Sequence, residues 1–176
     1  MEMYIDGKWV NGSSGSTIKK FSSPNGKLLY DFKAASKDDV DNAVEAAYEA
    51  FDKWSSDTSV ECSKLLYKVK ELIEKDRKSL EQIIINKNGK IKKEAKEEVD
   101  TVIDQLQYYA EFAQKIKGDI VEGVDSSRKI LQYLVQYDVV IAITPWNFSA
   151  AMVARKLAYA LLTGNIVELI PSNDTP

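Results

Sequence analysis

The sequence predicts an α/β protein, and three stretches carry that reading. Short runs of aromatic and β-branched residues, broken by turn dipeptides, open the chain. Apolar stripes at helical spacing fill the middle. The last third holds strand, helix and strand within about thirty residues, the order of a βαβ unit.

Tyr4-Ile5-Asp6-Gly7-Lys8-Trp9-Val10 reads as a hairpin with Asp6-Gly7 as its turn. Asn11 to Ser16 is too rich in glycine and serine to be core. A strand through Thr17 and Ile18, a turn at Ser23-Pro24-Asn25-Gly26-Lys27 and a strand from Leu28 to Phe32 complete a peripheral antiparallel region. Ser36-Lys37-Asp38-Asp39 matches a capping box, because the serine oxygen and the Asp39 carboxylate can each take the other residue's N–H. The helix it starts carries Val40, Ala43, Val44, Ala47, Phe51 and Trp54 on one stripe. A second helix from about Val60 carries Leu65, Leu66, Val69, Leu72 and Ile73. It continues or restarts through Leu80, Ile83 and Ile84, and Asn88-Gly89 stops it. A third spans roughly Ile91 to Lys117, with Val99, Val102, Ile103, Leu106, Ala110, Ala113 and Ile116 as its stripe and Gly118 at its end.

After Gly118 the pattern changes. Ile130 to Tyr137 is a long β-prone run. Asp138 to Thr144 is almost continuously apolar, which suits a strand buried on both faces of a parallel sheet. Pro145-Trp146-Asn147-Phe148 breaks it, a helix follows from about Ser149 to Leu162, and Gly164-Asn165 closes that helix. Ile166 to Ile170 is the next strand and Pro171 to Pro176 a loop. The unit is expected to be parallel and right-handed. Two parallel strands alone make no stable sheet, so residues 1–176 read as the front part of a longer α/β protein.

Composition removes several function classes. There is no histidine, which excludes imidazole bases and His-ligated zinc. The single cysteine, Cys62, permits no intramolecular disulfide and no CxxC knuckle. A net charge of −3, from 24 basic and 27 acidic residues, offers no footprint for nucleic acid. Met1-Glu2-Met3-Tyr4 lacks the basic and apolar regions of a signal peptide. No apolar run approaches the roughly 18–20 residues that span a bilayer. The expectation is a cytoplasmic protein with no membrane or nucleic-acid partner.

Thr144-Pro145-Trp146-Asn147-Phe148 is the best candidate site. It lies at the carboxyl end of a buried parallel strand, where α/β sheets place ligands. Trp146 offers a flat apolar wall and Asn147 an amide donor for developing negative charge. The plainer alternative is a turn with Asn147 capping the next helix. Cys62 stands among Glu61, Lys64 and Leu65 with no electropositive niche, so it reads as a spectator. Glu94, Glu97, Glu98, Asp100 and Asp104 interleave with Lys92, Lys93 and Lys96, which reads as a solvated helix face. Tyr108 and Tyr109 read as core and interface surface, and no GxGxxG or GxxxxGK[ST] loop is present.

Ile141-Ala142-Ile143-Thr144-Pro145-Trp146-Asn147-Phe148 closely resembles a strand-turn segment of the NAD(P)-dependent aldehyde dehydrogenase superfamily. The resemblance runs along the whole chain, through Tyr4 to Trp9, Ser23 to Lys27, Ala46-Ala47 with Phe51 and Trp54, and Asn88-Gly89-Lys90. It continues through Glu94-Ala95, Glu98-Val99-Asp100, Tyr108-Tyr109-Ala110, Lys156-Leu157-Ala158, Ala160-Leu161, Gly164-Asn165 and Pro171-Ser172. It implies a partial coenzyme-binding domain over 1–176, ending in a truncated Rossmann-like βαβ unit. Part of an oligomerisation arm is implied near 126–138. Asn147 matches the oxyanion-hole donor, and Ile143, Thr144 and Trp146 match the wall beside the nicotinamide and its ribose. NAD or NADP is the implied cofactor, with binding by this chain doubtful, and no metal is implied.

The departures are specific. Ile170 and Asn173 stand where the family has a lysine and a glutamate on the adenosine ribose, and an isoleucine forfeits those hydrogen bonds. Asn173 is the weaker cofactor contact that remains. Asp138 replaces a glycine, Ser149 and Tyr159 each a proline, and Glu168 an apolar strand residue. The nucleophilic cysteine and base glutamate of the family match nothing here. The resemblance thus implies a chain inactive by itself, self-associating as a dimer or higher homo-oligomer. Alternatives are a subunit complemented by a second, catalytic chain and a regulatory or binding module.

Overall fold

The computed structural model describes residues 2–125 and 127–176. Met1, in the N-terminal reading, and Ser126, where the expected arm begins, lie outside the described residues. Strands β1 (Met3–Ile5) and β2 (Lys8–Val10) pair antiparallel with Tyr4 opposite Trp9. Asp6 and Gly7 both take positive φ, 49° and 71°, as a tight two-residue hairpin turn requires. Strands β3 (Thr17–Phe21) and β4 (Leu28–Lys33) form a second, separate hairpin with Ile18 opposite Phe32.

Helix α1 (Lys37–Ser55) starts at the expected capping box. The Asp39 N–H donates to Ser36 Oγ at 3.1 Å, and the Ser36 N–H donates back to the Asp39 carboxylate at 2.8 Å. Helix α2 (Ser59–Asn88) opens with a second box, Thr58 and Glu61, that the sequence reading did not pick out. The open choice at its middle resolves as one continuous helix of 30 residues, stopped by Gly89 in the left-handed conformation. Helix α3 (Lys92–Phe112) tightens into a 3-10 turn at Ala113–Lys115, short of the expected Lys117.

The core lies where α2, α3 and α4 (Ser149–Leu162) meet. Ala151, Ala154 and Ala158 form the buried face of α4, and their small size lets α3 approach closely to seat Val102 and Leu106. The α2 stripe is only partly buried. Leu66 and Ile84 are enclosed, while Leu65, Val69, Leu72 and Ile83 remain exposed. The stripe is wider than the seam with α3: Val69 and Ile83 line an open apolar groove, and Leu65 and Leu72 lie outside it.

Strands β7 (Val139–Ile143) and β8 (Ile166–Ile170) pair parallel across α4, which confirms the βαβ unit. Helices α1 and α4 both pack against the pair. The expected burial of β7 on both faces does not hold. Only Ala142 is buried, and Ile141 and Ile143 are 56% and 64% exposed. Strand β8 is the only hydrogen-bonded neighbour of β7 among the described residues, so the rest of its apolar surface faces outward. The β-prone run after Gly118 is also shorter than expected. Strand β6 (Lys129–Gln132) stops before Tyr133 and pairs with β5 (Asp119–Glu122), which sequence reasoning did not identify. Gly118 is needed there for close approach, since a Cβ would fall 2.0 Å from the Gln132 carbonyl oxygen. Among the described residues no helix is long and apolar enough to cross a membrane.

Candidate active site

The two parallel strands end at one edge, and that edge builds the site. Ile143 and Ile170 are register partners at the last position of each strand. The ladder runs one step further, because the Thr144 N–H donates to the Ile170 carbonyl at 3.1 Å. Thr144 is buried, and Pro145 then turns the chain outward. Trp146 and Phe148 are 57% and 51% exposed. Asn147, between them, is exposed, and its amide makes no hydrogen bond among the described residues. The capping alternative fails, because Phe148 occupies the cap position of α4 and gives it no side-chain hydrogen bond.

The cap of α4 comes from another helix. Glu98 of α3 accepts from the Ala150 N–H at 2.9 Å and, more weakly, from the Ala151 N–H at 3.4 Å. Its other oxygen takes the Lys90 ammonium at 2.5 Å. A carboxylate at a helix N-terminus also meets the positive end of the helix dipole. This corrects the reading of the acidic cluster as one solvated face: the Glu98 side chain is 0% exposed. Glu97 does behave as expected, in an exposed i,i+4 pair with Lys93 at 3.8 Å. Asp100 instead reaches across to Arg77 of α2. A signal for Glu98 was present in the sequence: Ala95, Glu98 and Val102 fall at i, i+3 and i+7, on the buried stripe.

Two further contacts hold the turn. Asn88 Nδ2 donates to the Trp146 carbonyl at 2.7 Å, and Lys90 Nζ stands 3.8 Å from the centre of the Phe148 ring. Neither could be found from spacing, since both join α2's end to a turn nearly sixty residues on, 58 for Asn88 and Trp146.

The remaining candidates sit as follows. Trp146 shares a polar recess of about 270 Å3 with Lys87, Asp174 and Thr175. Asn173 is exposed in the loop after β8 and does not line that recess. Beside the site, α2, α4 and β8 bound an apolar groove of about 490 Å3 that includes Ile73, Leu157 and Leu169. Cys62 lies in the core, 1% exposed. Burial pushes its thiol up, and the Asp57 carboxylate adds to that, so no thiolate forms there at neutral pH. Glu168 of β8 keeps one buried oxygen without a partner, and burial raises its carboxyl above the usual range.

The edge carries three kinds of surface. Ile143 and Ile170 give an apolar ledge, Trp146 a flat wall, and Asn147 a free donor. The aldehyde dehydrogenase family model matches residues 9–176. The chain belongs to the aldehyde dehydrogenase family. It is 61% identical over 175 residues to the D-glyceraldehyde dehydrogenase (NADP(+)) of Thermoplasma acidophilum, covering 99% of this chain and 36% of that protein. Identity to the enzyme of the same name from Picrophilus torridus is 58%, over 100% of this chain and 36% of that protein. An aldehyde dehydrogenase crystal structure from Brucella melitensis biovar abortus superposes with a TM-score of 0.95 at 28% identity, covering 99% of this chain and 36% of that one. The chain therefore spans about a third of the length of the relatives it matches, 36% for each of these. Hairpins, three helices and the β7–α4–β8 unit together correspond to the N-terminal part of the family's coenzyme-binding fold.

Proposed function

We propose that these residues supply the oxyanion donor and the nicotinamide-side wall of an NADP-dependent aldehyde dehydrogenase for a small hydroxyaldehyde such as D-glyceraldehyde. The observation that carries the reading is the exposed, unbonded amide of Asn147 at the carboxyl end of β7. In aldehyde oxidation through a thiolate, negative charge develops on the former carbonyl oxygen, and Asn147 Nδ2 donates to it. One such donor is worth about 10²–10³ in kcat. The bound dinucleotide supplies the hydride acceptor. Trp146 and Ile143 exclude water from one side of that reaction, and Thr144 fixes the strand end from which they project.

Similarity to two NADP(+)-dependent relatives supports NADP over NAD. The chemistry of the loop after β8 agrees: Asn173 is neutral, so no carboxylate at that position repels a 2′-phosphate. Ile170 makes no ribose hydrogen bond, so this chain alone binds dinucleotide no tighter than roughly millimolar. The chain alone is also inactive, because its one cysteine is buried. The exposed β5–β6 ribbon belongs to an oligomerisation arm, with Ile120 at 71% and Leu131 at 54% exposure, and the chain forms a symmetric dimer or a larger homo-oligomer. A free buried thiol suits a reducing, cytoplasmic setting.

The test has two arms. The 176-residue chain is incubated with D-glyceraldehyde and NADP, and dinucleotide reduction above a control without aldehyde would overturn the claim of inactivity. A chimera then places these residues in front of the remaining two-thirds of the Thermoplasma acidophilum enzyme. Turnover that prefers NADP and collapses with Asn147→Ala is the expected result, and undiminished turnover in that variant would refute the assignment.

A further inference from the structure

The turn that bears Asn147 is gripped from behind by three groups to which the reaction as proposed gives no role. Asn88 holds the carbonyl of Trp146, one residue before it. Lys90 lies over the ring of Phe148, one residue after it. Glu98 holds the N–H groups of Ala150 and Ala151 in the first turn of α4 and pairs with Lys90. Helices α1 and α2 are capped locally, by Ser36 and Thr58. Helix α4 has no side-chain cap of its own and takes a buried charge from α3 instead. A buried carboxylate is a costly way to cap a helix when a serine would do. What it adds is a fixed relation between α3 and the turn ahead of α4.

We propose that Asn88, Lys90 and Glu98 form a clamp that sets the position of Asn147, which makes Glu98 a positioning residue for oxyanion stabilisation. The inference rests on the oxyanion role given to Asn147 above. A donor of this kind works only within about 2.7–3.1 Å of the developing charge. A shift of about 1 Å can cost about 10²-fold. The Asn147 amide has no bond of its own to hold it, so the backbone on either side must do so.

The experiment is a double-mutant cycle in the active chimera, reading kcat, KM for NADP and melting temperature. Asn147→Ala is expected to lower kcat about 10²–10³-fold. Glu98→Gln, which keeps an acceptor but loses the charge, is expected to lower kcat about 10-fold or more with KM for NADP within about twofold. In the Asn147→Ala background the same Glu98→Gln change should cost less than about twofold, because the group it positions is gone. A purely structural Glu98 would lower kcat equally in both backgrounds, or not at all, and either result overturns the clamp. If Asn147→Ala itself leaves kcat unchanged, the functional reading falls first and the clamp with it. Should Glu98→Gln fail to fold, Asn88→Ala carries the same test without touching the buried ion pair. Its effect must vanish in the Asn147→Ala background, and an additive effect again overturns the proposal.

Discussion

Glu97 and Glu98 are adjacent on α3, and their removal should have very unequal consequences. Glu97 pairs with Lys93 at 3.8 Å with both side chains well exposed, 60% and 79%. An exposed i,i+4 pair of that kind contributes at most about 0.5 kcal/mol. Glu98 is fully enclosed, its partner Lys90 is 13% exposed, and it also accepts from two N–H groups of α4. Glu98→Ala leaves an ammonium without its counter-charge and the start of α4 without its acceptor. Breaking a buried pair from one side costs about 3–5 kcal/mol. The lower end applies here, because Lys90 is close enough to the surface to rotate its ammonium towards water. With a urea m-value of about 2 kcal/mol/M, a loss of about 3 kcal/mol moves the unfolding midpoint down by about 1.5 M. Glu97→Ala should move it by no more than about 0.25 M. Glu98→Gln, which retains a carbonyl acceptor, should fall between the two. The assay is urea unfolding of the three variants followed by far-UV circular dichroism. Equal midpoints for Glu97→Ala and Glu98→Ala would refute the buried-cap description and restore the acidic run as one solvated face.

That pair also marks where the sequence was legible and where it was not. Local rules gave the Asp6-Gly7 turn, the Ser36–Asp39 box, the Gly89 stop and the Gly164 end of α4, because each depends on a few neighbouring residues. The α3 stripe from Val99 to Ala113 was equally plain, since one seam fixes its period. Errors arose where the answer depended on contacts distant in sequence. The charged neighbours of Glu98 suggest a solvated side chain, although Ala95 and Val102 on either side place it on the buried stripe. The apolar run of β7 reports what the strand could bury but not how many neighbours cover it. Strand β5 was missed because Asp119 to Glu122 alternates only weakly, and its pairing with β6 gains no burial to advertise it. The position of the turn around Asn147, between a strand end and a helix start, was legible in the sequence. Its support from Asn88 and Lys90 was not, as no spacing rule links residues that far apart.

Three further outcomes are expected. Asp138 holds φ at 76°, where a side chain branched at Cβ is strained. Asp138→Val should therefore lose about 1–2 kcal/mol in urea unfolding, and an unchanged midpoint would count against the left-handed backbone there. Asp39 is held at about 2, chiefly by the N–H groups of Ser36 and Ser13. A depressed carboxyl contributes its stability above the unfolded value and loses it as pH falls, so the melting-temperature gap between wild type and Asp39→Asn should be full at pH 7 and close between about pH 4 and 2. A gap independent of pH would contradict it. Glu168 behaves in the opposite sense, and its sign follows from the buried oxygen that has no partner. Burial raises its carboxyl in the folded chain, so folding favours the protonated form. Stability linked to this group is present below the unfolded value near pH 4 and declines as pH rises through the raised folded value. Replacing it with an uncharged side chain removes that decline. Glu168→Val should therefore melt higher than wild type at pH 7, with the advantage shrinking towards pH 4. The valine also restores an apolar residue to a strand that pairs in parallel with β7, so some gain should survive at the acidic end. If the variant melts lower than wild type at pH 7, Glu168 has a partner in solution and β8 is not an apolar strand carrying an unpaired charge.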